Sequence, residues 1–167
     1  MPVWPRLRRG GGKAPQTGQL EALLDALDEE LYKEVFTHSS WADQRAGSYE
    51  RLAFLGDSVL GLAISTDIYP RFDRATAGDL TKIRAQAVSG AACARVALHM
   101  DVPKRLTALA PPDPEIRVDE LLAAQRVVAS ICEAIIGACY LQFGYRRTAD
   151  AVVEAFAGEV EDALANP

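Results

Sequence analysis

YERLAFLGDSVLGLAI, residues 49–64, is apolar on nearly every side of a helical wheel. A helix of that kind belongs in the middle of a bundle, where neighbours cover it all round. Ser48 stands at a plausible N-cap, so the helix is expected over residues 48–66. One residue breaks the run. Asp57 puts a carboxylate beside Leu55, Val59 and Leu60, where an ion is costly unless it is paired, hydrogen-bonded or bound to a metal.

A second apolar stretch repeats the pattern. VVASICEAIIGACYLQFG, residues 127–144, is interrupted by Glu133 and stops at a glycine, as helix C-termini often do. Facing helices of a bundle can build a metal site from such inward carboxylates. The same residues allow a structural reading, in which Asp57 and Glu133 accept hydrogen bonds from hydroxyls or pair with Arg51 or Arg84. Glu50 precedes Asp57 by seven residues, about 10.5 Å along one helix face. It suits an outer rim of the site, and equally a surface position favoured by the helix dipole.

Outward from these two stretches the periodicity stays helical. QLEALLDALDEE (19–30) carries a leucine stripe, and ELYKEVF (30–36) precedes the polar turn THSSW (37–41). Asp79 or Thr81 is expected to cap one helix through KIRAQAVSGAACARVALHM (82–100). TALAPPDPEI (107–116), with three prolines, must be a loop. The longest helix is expected over 118–144 and a final amphipathic one over 148–166. No alternating strand pattern occurs, so the fold class is all-α.

The domain is expected over residues 18–165. Residues 1–17 read as a flexible arm, either a plain leader or a phosphate-touching segment through Arg6, Arg8, Arg9 and Lys13. A net charge of −5 does not suggest a general nucleic-acid coat and leaves room for a local basic track. Cys93, Cys132 and Cys139 lack metal-ligand spacing and read as buried small hydrophobes in a reducing cytoplasm. No apolar run approaches the roughly 18–20 residues that cross a bilayer, so a cytoplasmic protein is expected. His38 and His99 are too scattered for a metal cluster. Trp4, Trp41 and the tyrosines form no stacking row for single strands.

The string YERLAFLGDS closely resembles the ribonuclease III signature N-E-R-L-E-F-L-G-D-S. FTHSS is similar to the family's upstream A-L-T-H-R-S, AGDLTKIRAQAVS to its E-G-D-L-x-x-L-R-A helix, and VVASICEAIIGACYLQFG to its segment around D-x-x-E-A. The resemblance covers roughly residues 20–160. It implies a ribonuclease III-like helical domain that forms a two-fold dimer. It also implies double-stranded-RNA hydrolysis at four carboxylates that hold two divalent ions, usually Mg²⁺ and alternatively Mn²⁺. On that pattern Asp57 and Glu133 match two of the ligands and Glu50 an auxiliary acid. The remaining ligand positions are Ala53 and Ser130, and a supporting acid is Ala77.

Alanine offers no oxygen, and a neutral hydroxyl is a weak Mg²⁺ ligand. The loop 108–120, ALAPPDPEIRVDE, is proline-rich and acidic where the family's is glycine-rich and basic. The usual double-stranded-RNA-binding domain is not expected here. The resemblance therefore points to a homodimer with weak or absent metal binding and impaired cleavage, acting in RNA binding or as a scaffold. Two alternatives stand beside it. One is an active Mg²⁺-dependent endoribonuclease that uses Glu50, Asp57, Glu133 and waters. The other is a repurposed enzyme with Asp57 and Glu133 as acid and base.

Overall fold

Short capping side chains divide the chain into more helices than its apolar periodicity suggests. The computed structural model describes residues 18–165 except Glu115. In order the helices are α1 (Gln19–Asp25), α2 (Glu29–Val35), α3 (Glu50–Ile68), α4 (Ala77–Ala87), α5 (Gly90–His99), α6 (Val102–Leu109), α7 (Val118–Ala123), α8 (Gln125–Ala155) and α9 (Ala157–Ala165). A 3-10 turn, Arg45–Gly47, precedes α3, and there is no strand among the described residues. The all-α expectation holds.

Several boundaries differ from the sequence reading, each for a local reason. Asp28 caps α2 by accepting from the Leu31 N–H at 2.8 Å. Thr76, and neither Asp79 nor Thr81, caps α4; Asp79 instead completes a capping box by accepting from the Thr76 N–H. The helix expected over 82–100 breaks, because Ser89 caps a new one. Ala124 is extended and separates α7 from α8. α3 starts at Glu50, and the buried Ser48 hydroxyl donates to the Arg45 carbonyl. Gly144 does end a helical segment, at φ 77°, but the chain turns straight into another that runs to Ala155.

α3 crosses α8 at the centre, and α1, α2 and α5 pack around α8 while α4 bridges α3 and α9. Leu60, Ile64, Ile131, Ile135 and Phe156 are fully buried at this junction and its flanks. α8 amends one expectation, since its length and composition are those of a membrane span. However, 61% of its most apolar window is buried inside the fold, as in a core helix. The central place expected for α3 is half right. Leu52, Ala53, Gly56, Val59 and Leu60 face the core, yet Phe54 is 80% exposed and Leu62 55%.

Two glycines permit the crossing. A Cβ on Gly56 would sit 1.7 Å from the Glu133 carbonyl oxygen, and one on Gly137 would sit 2.1 Å from that of Leu52. The two backbones therefore touch, as only glycine allows. Buried Ala53 and Ala134 keep the same seam thin.

Candidate metal centre

The Gly56–Gly137 contact brings together the two acids singled out in sequence. Asp57 follows Gly56 directly, and the Glu133 carbonyl is the group that Gly56 touches. Their environments differ. Asp57 is exposed, which corrects the expectation of a buried carboxylate, while Glu133 is half-buried. Burial first, and the neighbouring Asp57 charge second, pushes the Glu133 carboxyl up to about 7. Among the described residues no cation forms an ion pair with either acid. Arg84 donates to the Ser65 hydroxyl at 3.3 Å, Arg51 makes no ion pair among the described residues, and neither reaches the acids. The arginine-paired reading of Asp57 and Glu133 is therefore corrected.

Glu50 stands apart. Arg45 clamps it with two hydrogen bonds of 2.6 and 2.8 Å, which, with its charge, hold the carboxyl below the usual range. The groups that act on Glu50 are Arg45, Ser39 and His38, with neither Asp57 nor Glu133 among them. His38 is structural: its Nδ1 accepts from the Ser40 N–H at 3.1 Å, and its ring lies 5.7 Å from Tyr49 and 6.1 Å from Trp41. His99 ends α5. The three cysteines are buried and unbridged. Arg6, Arg8, Arg9 and Lys13 lie outside the described residues.

Ala53 is one turn before Asp57 and buried, Ser130 is one turn before Glu133 and half-buried, and Ala77 is exposed at the start of α4. Among the described residues no group of three or more His, Cys, Asp or Glu could hold a metal ion. Of the four ligand positions that the resemblance implies, two carry carboxylates here, Asp57 and Glu133.

The family model described as Ribonuclease-III-like matches residues 28–160. The chain belongs to that family. The Ribonuclease 3 of Rhodopseudomonas palustris is 38% identical over 155 residues, covering 87% of this chain and 54% of that protein. That of Bartonella quintana is 37% identical over 134 residues, covering 79% and 55%. The chain spans about half the length of the curated relatives it matches. Among solved structures, the nuclease domain of ribonuclease III from Campylobacter jejuni superposes with a TM-score of 0.71 at 26% identity, covering 84% of this chain and 96% of that one. Dicer from Pichia stipitis gives 0.61 at 33% identity, covering 83% and 58%. The Campylobacter structure was described for flexibility in a region involved in dimer formation.

The ribonuclease-III-like scaffold also explains what the sequence reading missed. Gly56 and Gly137 position the acid pair, and their signal was available: glycine in a helix interior costs about 1 kcal/mol against alanine and asks for a packing reason. Arg45 was missed because the Glu50 clamp depends on how the 3-10 turn folds.

Glu133 yields a pH prediction. Its folded carboxyl titrates near 7, above the ordinary 4.5, so between those values the folded state holds a proton that the unfolded state has lost. Stability contributed by this site is then lost as pH rises through the window. Across pH 4.5–8 the melting temperature of Glu133→Gln, relative to wild type, is expected to rise. A constant difference would show that Glu133 titrates normally.

Proposed function

We propose that this chain is a homodimeric ribonuclease III-like domain that binds at most one divalent ion and has lost the family's two-ion cleavage, serving RNA binding or a scaffold. The observation that carries this reading is the pair Asp57 and Glu133 with Ala53 and Ser130 one turn before each. Two Mg²⁺ ions at about 4 Å need several anionic oxygens to offset their repulsion. Two carboxylates, one of them costly to ionise, are too few. Asp57 and Glu133 would hold one weakly bound Mg²⁺ or Mn²⁺, whose charge would offset their mutual repulsion and which would supply Lewis acidity when bound.

The dimer reading rests on the outer face of α3. Phe54 projects beside an open depression of about 800 Å³ whose apolar walls include Leu52, Leu55 and Leu141. An exposed ring next to a concavity of its own chain suits an isologous contact, in which each copy fills the other. Burial of a phenylalanine stabilises such a contact by about 2 kcal/mol per copy. Three unbridged buried cysteines fit a reducing cytoplasm.

A second reading keeps catalysis. Asp57 and Glu133 persist, and a carboxyl near 7 is poised for proton transfer at neutral pH. Long double-stranded RNA with Mg²⁺ or Mn²⁺, incubated with wild type and with an Asp57→Asn, Glu133→Gln double variant, separates the two. The preferred reading expects no metal-dependent cleavage by either protein, with RNA retardation at low salt. Cleavage by wild type alone would establish an active nuclease. If RNA is neither bound nor cut, the RNA-binding role falls and the repurposed-pocket reading moves up.

A further inference from the structure

The depression beside Phe54 has a charged rim as well as apolar walls: Glu34 on α2, Arg45 on the 3-10 turn, and Glu50 and Arg51 on α3. Two acids and two arginines balance to zero. Inside one protomer half of this set is satisfied, because Arg45 and Glu50 hold each other through two short hydrogen bonds. The other half is not. The Arg51 guanidinium is exposed, and neither it nor the Glu34 carboxylate forms an ion pair or side-chain hydrogen bond among the described residues. Glu34 is already half-buried against the apolar wall.

Covering this depression with an apolar ring would remove Glu34 from water and leave it uncompensated, which is strongly unfavourable. The rim has one uncommitted cation to offset it. Under two-fold symmetry a residue at one position meets a different position of the partner, and the contact occurs twice. We propose that Arg51 of each protomer pairs with Glu34 of the other, so that two reciprocal ion pairs fix the register of the dimer around the Phe54 contact. This rests on the homodimer reading above and names the residues that select one arrangement of it. Like charges brought together at these positions would oppose association twice over.

Charge reversal tests the pairing. Sedimentation equilibrium is run at moderate salt on wild type, Arg51→Glu, Glu34→Arg and an equimolar mixture of the two variants, with circular dichroism checking that each folds. Each variant alone places like charges at both contacts, and its dimer should weaken about a hundredfold. In the mixture a heterodimer has opposite charges at both contacts, and association should return to within about threefold of wild type. A milder Glu34→Gln covers the case in which a reversal disturbs folding; about tenfold weakening with a flatter salt dependence is expected. A wild-type dimer that either reversal leaves intact, or variants that fail to rescue one another, would overturn the pairing while the dimer stands. A wild type that remains monomeric at about 100 μM, well above the Kd of a specific dimer, would remove the homodimer reading and the pairing with it.

Discussion

Gly56→Ala is expected to lower the unfolding free energy by about 3–5 kcal/mol, and the melting temperature by about 10 °C. The reason is geometric. The added Cβ would lie 1.7 Å from the Glu133 carbonyl oxygen and 2.8 Å from the Gly137 nitrogen. Both atoms belong to backbone inside a long helix, so no side chain can swing away. α3 and α8 must separate, which loosens Leu60, Ile131 and Ile135 and pulls Asp57 from Glu133. Gly61, on the same helix, supplies the control: nothing lies within 4 Å of its Cβ position. Gly61→Ala should cost nothing and can add up to about 1 kcal/mol through helix propensity. Thermal and denaturant unfolding of the two variants measures the contrast. A Gly56→Ala protein as stable as wild type would mean that the two helices do not touch at these glycines.

Ala53→Glu combined with Ser130→Asp is expected to tighten Mn²⁺ binding at least about tenfold and to bring the stoichiometry from at most one ion per site towards two. Each substitution adds an oxygen donor one turn before an existing acid, the spacing that puts both on one helix face. Titration followed by electron paramagnetic resonance counts the ions. The cost appears in stability, because Ala53 is 7% exposed and a glutamate there must bring its carboxylate to the seam. Mn²⁺ should recover part of that loss, through preferential binding to the folded state. Two ions already held by wild type would end the reduced-donor reading. An unchanged affinity in the double variant would mean that the crossing no longer presents those positions to one point.

Fold class and the pair of acids were legible because both depend on chemistry local to the chain. An apolar helix interrupted by one carboxylate is conspicuous wherever it occurs, as at Asp57 and Glu133. Boundaries were less so. Thr76 and Ser89 start helices through side-chain bonds to backbone only three residues on, yet Asp79 and Thr81 offer equally good cap chemistry in sequence. Glu50 remained undecided for a different reason. Its helix position suited a site rim or a surface equally, and the choice fell to Arg45, five residues earlier but placed by a 3-10 turn.

The amino-acid order alone determines that helices form here, that two of them carry isolated acids, and that Ala53 and Ser130 bring no charge. Those properties belong to residue types and their 3.6-residue period. Tertiary packing decides the rest: that Asp57 is open to solvent while Glu133 is half-covered, that neither Arg51 nor Arg84 pairs with them, and that Phe54 remains bare. Exposure and pairing are set by which helix lies across which. Here that depends on backbone contact at two glycines, far apart in the chain, which a linear pattern does not encode.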